Sequence, residues 1–244
     1  MNLAFKQVAV WSIVLFLFSC VNQAEIKRYA PTRTAGILGV VVAPGVESAL
    51  TQSSMTRELE DLMQAESDFT ILRSGNMSRA VRAASPGSFS TMLGNYASFG
   101  HLKRVDILAL QAAQLPIQIA LIARVEKNSV SSSAPKRIVL HNNRGDVLSD
   151  RERVVLSTVR EMQIQASMID VASGRVIWSK SYQVTPVSES SYVHYSGSSF
   201  SGSLAASVVN TMSNGLKEPS RPAPPNNRLT IRFLLHEIVR NVPG

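Results

Sequence analysis

The sequence is short of the side chains that build disulfides, metal sites and most catalytic centres. It has one cysteine and four histidines in 244 residues, and the histidines lie far apart. A single cysteine excludes an internal disulfide, and scattered histidines predict no metal site, since a metal needs several converging ligands. No phosphate-binding loop or His-Glu-x-x-His motif occurs, and residues 197–202 miss the spacing of a nucleophile elbow. The sequence therefore predicts that the protein is not an enzyme and holds no cofactor.

The one cysteine, Cys20, follows the most apolar run of the chain. Residues 8–18, VAVWSIVLFLF, carry no charge, and Lys6 stands before them. A helix that spans a membrane needs about 20 apolar residues, so this run is short for one. A charged start followed by a short apolar centre is typical of a secretory signal. We therefore predict a signal peptide at residues 1–19.

Residues 17–20, LFSC, resemble the box at which bacterial lipoproteins are processed. The resemblance implies that Cys20 is the lipid attachment site and becomes the acylated, palmitate-bearing first residue of the mature protein. Two or more acyl chains hold a protein firmly on a membrane, whereas one binds marginally. An ordinary cleaved signal with an incidental cysteine, and an uncleaved anchor, are the alternatives.

Acidic residues are fewer than basic ones, 17 against 25, and the formal net charge is +8 at pH 7. Removal of residues 1–19, whose one charged side chain is Lys6, leaves +7. In a cytosolic protein this net positive charge would suggest nucleic acid as a partner. In an exported protein, anionic head groups, cell-wall polymers or acidic proteins are the expected partners, and nucleic acid is not. A basic surface without a partner is the alternative.

The pattern along the chain predicts an α/β domain at residues 36–216. A polar segment at 20–35 predicts a tether between lipid and domain. Short apolar or alternating runs predict strands at 36–43, 69–72, 117–125, 158–171 and 176–184. Helical spacing predicts helices at 47–66, 77–84, 102–114 and 204–216, whereas 88–100 is ambiguous. Together these elements predict a sandwich in which a mixed sheet is packed with helices.

Three segments depart from this pattern. Residues 126–157, with serines, a proline and charges of both signs, predict a long irregular excursion, and 185–203 is a serine- and tyrosine-rich tract. Four prolines in 217–227 predict a stiff linker apart from the packed elements. Residues 228–244 predict an amphipathic helix, which could dock on the domain, on a neighbouring subunit or on the membrane surface.

Four stretches resemble those of a known family: GILGVVVA at 36–43, FTILRSGN at 69–76, IQIALIARV at 117–125 and IDVASGRVIWSKSY at 169–182. They are similar to the curli-secretion lipoprotein (CsgG) family over roughly residues 36–216. The peptidoglycan-synthase activator lipoproteins and the amino-terminal domain of TolB share a related fold. The resemblance implies an envelope lipoprotein. Val21 stands where an aspartate would retain such a protein at the inner membrane, which implies the outer membrane, facing the periplasm.

The resemblance implies a lipid-anchored scaffold or binding protein that helps to assemble, secrete or regulate an envelope complex. The alternative is one subunit of an oligomeric, CsgG-like secretion channel in the outer membrane, with 126–157 and 185–203 facing lipid. Charges on both faces of any strand in 126–157 weigh against that alternative, because a charge on a lipid-facing strand costs about 2–4 kcal/mol at the bilayer midplane.

Four basic residues of the excursion are the candidate partner-binding residues: Lys136, Arg137, Arg151 and Arg153. Clustered cations can bind an anionic partner, and a solvated loop of mixed sign is the alternative. The expected partners are the membrane, through the lipid, and an envelope protein complex; a homo-oligomer is left open.

Overall fold

The computed structural model describes residues 33–47, 50–196 and 220–243. The strands in these ranges are β1 (Thr34–Val42), β2 (Thr70–Leu72), β3 (Ile119–Ser132), β4 (Lys136–His141), β5 (Val147–Asp170), β6 (Val176–Val184) and β7 (Val187–Tyr195). The helices are α1 (Gln52–Glu66), α2 (Ser74–Ala84), α3 (Ser88–Phe99), α4 (Arg104–Ala112) and α5 (Asn227–Asn241). The predicted signal peptide, Cys20 and the predicted helix at 204–216 lie outside the described residues.

The seven strands form one mixed sheet, which confirms the predicted α/β fold class. β2, β1, β3 and β5 are neighbours in that order, β4 follows β3 along the same edge of β5, and β6 and β7 pair with the other edge of β5. β1 runs parallel to β2 and β3, whereas every strand that pairs with β5 runs antiparallel to it. β5 and β6 are consecutive and pair antiparallel, and β6 has the bounds that the sequence predicts.

One face of the sheet is covered by α1 and α5. α1 begins after Thr51, whose hydroxyl accepts a hydrogen bond from the Ser54 amide at 3.2 Å. Apolar residues at helical spacing bury one side of each helix, and these residues share a core with β1, β3 and β5: Met55, Leu59, Leu62 and Met63 on α1, and Ile231, Leu234, Leu235 and Ile238 on α5. The last helix therefore docks on its own domain.

The opposite face is covered by α2, α3 and α4. Their buried residues form a second core with Leu38, Ile122 and Ile169 of the sheet: Met77, Val81, Phe89, Met92, Tyr96 and Leu110. β1 lies so close to α2 that a Cβ at Gly36 would come within 2.6 Å of the Met77 sulfur, which explains the glycine there. The ambiguous segment at 88–100 is therefore a helix, α3, with Phe89, Met92 and Tyr96 on its buried side.

Residues 126–157 are not an irregular excursion, so that prediction was wrong. They complete β3, form all of β4 and begin β5, a strand of 24 residues. The serine- and tyrosine-rich tract supplies β7, which pairs with residues 151–159 of β5. We call β4, residues 147–159 of β5 and β7 the arm, and residues 161–170 of β5 the root. Charged residues on both faces hide the strand pattern in the sequence.

The proline-rich segment also departs from its prediction. Residues 220–226, here called the strap, lie against the sheet and form hydrogen bonds with it. Thr158 Oγ1 donates to the Pro222 carbonyl at 2.9 Å, and Arg160 Nε donates to the Pro225 carbonyl at 2.8 Å. Arg221 Nη1 donates to the Ser133 carbonyl at 2.7 Å. The strap fastens the chain to the base of the arm before α5 begins.

Candidate partner-binding surface

The four candidate residues lie on the arm, and strand register decides which face each one takes. Lys136 lies opposite Val155, Arg137 opposite Val154, and Arg153 opposite Ile138. Residues directly opposite in an antiparallel pair share a face, and neighbours along a strand alternate. Lys136, Arg151 and Arg153 therefore share one face, which we call the basic face, whereas Arg137 points to the other.

The three side chains of the basic face lie close together. Arg151 and Arg153 are two residues apart on one strand, which corresponds to about 7 Å. Lys136 lies diagonally across from Arg153, a separation of about 7–8 Å. Lys136 and Arg153 are exposed and form no ion pair with any residue in the described ranges. The basic face thus carries two cations, Lys136 and Arg153, that no described carboxylate pairs with, although Glu189 of β7 lies on the same face, opposite Ser157.

Arg151 is held in place by two neighbours. Its Nη2 lies 2.8 Å from Asp150 Oδ2, and its guanidinium carbon lies 5.3 Å from the centre of the Tyr195 ring. The hydrogen bond from Arg151 lowers the pKa of Asp150, and the same bond raises the pKa of Arg151. Tyr195 lies opposite Arg151 in the register, so β7 supplies an aromatic side chain to the basic face.

The opposite face of the arm is buried near the root, where Val154, Leu156 and Thr158 are 3%, 6% and 4% exposed. Farther out it is open: Val139 is 56% exposed, and Arg137 lies on this side in an ion pair with Glu152. The basic face exposes Ile138 and Val187, at 38% and 51%. It therefore offers apolar contact area beside its cations.

Sequence reasoning found three members of this surface but also included Arg137, which the fold places on the other face and pairs with a carboxylate. The sequence prediction did not include Tyr195, because the local sequence does not indicate that β7 pairs with β5. Cys20, the predicted lipid attachment site, lies outside the described residues.

A groove between α1 and α5 is a second concave feature, with a volume of about 760 Å³. Its carboxylates have partners: Glu58 forms an ion pair with Arg232 at 3.1 Å and Asp61 with Arg73 at 3.0 Å, and the Glu66 carboxylate lies 3.1 Å from His236 Nδ1. These pairs join α1 to α5 and to the start of α2, so we assign them a structural role.

Within the described ranges, no group of three or more His, Cys, Asp or Glu side chains is placed to hold a metal ion. None of the helices described here is long and apolar enough to cross a membrane.

No protein-family model and no curated protein matches the chain. Among solved structures, lipoprotein GNA1162 from Neisseria meningitidis is 15% identical with a TM-score of 0.33, over 75% of this chain and 99% of that one. The LpoB C-terminal domain from Salmonella enterica is 15% identical with a TM-score of 0.36, over 64% and 86%. A minor lipoprotein from Acinetobacter baumannii is 12% identical with a TM-score of 0.23, over 87% and 92%. Likenesses this distant identify no family, so the resemblance to the curli-secretion lipoproteins stays a hypothesis.

Proposed function

We propose that this protein is a lipid-anchored, non-catalytic scaffold of the bacterial outer membrane whose arm binds an envelope protein on the periplasmic side. The observation that carries the proposal is the basic face, where Lys136, Arg151 and Arg153 lie together on an open sheet surface. The root of the same sheet is packed with helices on both sides, so the arm is the part of the sheet that is free to meet a partner.

The chemistry of the basic face fits an acidic protein surface. Its cations attract carboxylates, and Ile138, Val187 and Tyr195 supply apolar and aromatic contact area. Charged residues at the rim of an interface mainly raise the association rate and select the partner, while desolvated apolar and aromatic side chains supply affinity. Binding that combines the two is expected to weaken as salt rises.

The lipid at Cys20 would hold the domain at the membrane. Two or more acyl chains make such an anchor long-lived, because each buried methylene contributes about 0.8 kcal/mol. A tether at 20–33 would leave the domain within reach of partners near the membrane surface. Replacing Cys20 with alanine should leave the protein unprocessed or released into the periplasm, as fractionation and the mass of the mature protein would show.

The binding role is tested with two charge-reversal variants of the full chain. Lys136→Glu/Arg153→Glu changes the basic face, and Arg137→Glu changes the opposite face of the same strands. After cross-linking in intact cells, the first variant should lose the partner recovered with the parent protein, and Arg137→Glu should retain it. A gradual loss of the parent's partner between about 0.1 and 0.5 M salt would agree with screening.

Equal recovery of the partner by both variants would refute a role for the basic face. Loss of the partner in Arg137→Glu alone would place binding on the other side of the arm. Ion conductance by purified oligomers in planar bilayers would favour the channel subunit, and turnover of a small-molecule substrate would contradict a non-catalytic role.

A further inference from the structure

The layer formed by α2, α3 and α4 has an unusual charge composition. From residue 74 to residue 118 the sequence contains a single acidic residue, Asp106. Asp106 is 3% exposed and is used inside the layer, where it accepts hydrogen bonds from the Lys103 amide at 2.8 Å and from Asn95 Nδ2 at 3.1 Å. The outer surface of this layer therefore presents no carboxylate.

Four cations occupy that surface: Arg79, Arg82, Lys103 and Arg104. All four are exposed, and none forms an ion pair with a residue in the described part of the chain. Arg79 and Arg82 lie on the side of α2 opposite its buried residues, Met77 and Val81. The charge on this surface therefore has one sign and is not compensated locally.

Three large apolar side chains are exposed on the same layer, next to Lys103 and Arg104. Phe99, Val105 and Leu108 are 55%, 64% and 53% exposed, at the end of α3 and along the solvent side of α4. The Lys103 ammonium lies 4.2 Å from the centre of the Phe99 ring, so charge and apolar surface are in direct contact here. We call Phe99, Val105, Leu108 and the four cations the basic apolar patch.

We propose that the basic apolar patch docks on the surface of a bilayer that contains anionic phospholipid. Surfaces that lie at a membrane interface combine apolar side chains, which enter the head-group region, with cations that attract anionic lipids. An acidic protein would complement the cations, but three apolar side chains that are more than half exposed fit a soft interface better than a rigid one.

The layer on the other side of the sheet provides the contrast. α5 also exposes Leu229 and Phe233, at 65% and 52%, but carboxylates of the same layer neutralise part of its positive charge. Arg232 pairs with Glu58 at 3.1 Å, and Arg240 pairs with Glu237 at 3.6 Å. Similar apolar exposure with partly compensated charge should attract an anionic surface less, so α5 serves as an internal control.

The test uses the full chain reconstituted into vesicles, with an environment-sensitive dye on a cysteine introduced by Val105→Cys. Vesicles of phosphatidylcholine alone are compared with vesicles that contain about 30% phosphatidylglycerol, an anionic lipid. The dye should shift to the blue only with anionic vesicles, and high salt should reverse the shift. The same dye at Leu229→Cys should report water in both, and the parent chain without an added cysteine gives the background from Cys20.

Matched charge variants separate the patch from net charge. Arg79→Gln/Arg82→Gln should lower the ratio of docked to undocked protein about fivefold for each arginine, the effect expected of one basic residue near an anionic surface. The control variant is Arg57→Gln/Arg228→Gln, which makes the same change at two exposed arginines without an ion pair in the other layer. It should leave the ratio of docked to undocked protein unchanged.

A dye at position 105 that reports water on both kinds of vesicle would overturn this proposal, as would equal effects of the two double variants. Circular dichroism of each variant checks that the fold is retained. The outcome is independent of partner binding by the basic face, because no residue is shared between the two surfaces.

Discussion

The root and the arm are two parts of one continuous strand, yet they are packed in different ways. At the root, Met162, Ile164, Ala166 and Met168 are at most 1% exposed, and Ser167 and Ile169 on the other face are also buried. Along the arm only alternate residues are buried, and the basic face is open to solvent. The difference shows that the root contributes more of the packed core, whereas the arm leaves one face exposed to solvent. The proposed binding surface can therefore be changed without changing the core.

The largest expected effect tests whether stability resides at the root. Leu121 of β3 is fully buried in the core that α1 and α5 share, so Leu121→Ala removes packed volume and should lower the free energy of unfolding by about 3 kcal/mol. Ile138→Ala, on the basic face, should cost less than about 1 kcal/mol because Ile138 is already 38% exposed. Urea unfolding of both variants measures the difference. Equal losses of unfolding free energy would contradict the inferred difference in packing between root and arm.

A smaller effect is expected from the polar contact that joins α3 to the root. Tyr96 Oη and Ser167 Oγ form a buried hydrogen bond of 3.0 Å, and Ser167 also lies 2.9 Å from Ser179 Oγ. Tyr96→Phe should lower the free energy of unfolding by about 1 kcal/mol, since Ser167 keeps one partner. Ser179→Ala serves as the comparison from the other side of this contact. A larger loss of unfolding free energy in Ser179→Ala than in Tyr96→Phe would show that the tyrosine hydroxyl contributes the smaller part of this contact.

The smallest effect is expected at an unsatisfied polar group next to the root, on β6 opposite Ile164. Tyr182 is 8% exposed, and its hydroxyl has no hydrogen-bond partner among the described residues. Burial, and secondarily Glu237, raise its pKa to about 12 from the ordinary 10. Tyr182→Phe should therefore raise the free energy of unfolding slightly, by up to about 1 kcal/mol at neutral pH, because it removes a buried polar atom without a partner.

The same group predicts a pH dependence. A folded-state pKa above the unfolded one means that the unfolded chain loses its proton first as pH rises. The contribution from neutral Tyr182 is thus complete below pH 10 and is lost as pH rises from 10 towards 12. The parent protein should lose stability over this range by more than Tyr182→Phe does, as thermal melts at several pH values would show. Parallel curves for the two proteins would contradict this account.

The sequence predicts the root better than the arm, for a physical reason. Residues 158–171 alternate because one face is buried in the core while the other face, with Glu161, Gln163 and Gln165, is only partly covered. β6 follows after a turn that the sequence marks with Gly174. In the arm, Asp150, Arg151, Glu152 and Arg153 follow one another, so no apolar period is visible. α3 was ambiguous because serine, glycine and asparagine separate its buried Phe89, Met92 and Tyr96, and such residues favour turns in isolation.

The candidate surface was predictable in composition but not in geometry. Clustered cations in 126–157 indicate an anionic partner, whichever structure they adopt. Which of them share a face depends on the register between β4 and β5, and that register is set by long-range packing. Arg137 was therefore grouped with Lys136, its neighbour along the chain, although the strand sends the two side chains in opposite directions.

The position of α5 in the core has a consequence for when the domain can form. Ile231, Leu234, Leu235 and Ile238 belong to the same core as β1, which lies almost 200 residues earlier in the chain. Until residues 227–241 are available, one face of the sheet lacks part of its cover, so contacts of very long sequence separation must close last. A chain exported in the unfolded state, as residues 1–19 predict, would thus be kept from folding early by its own closing helix. The order of synthesis would then delay folding until export is nearly finished.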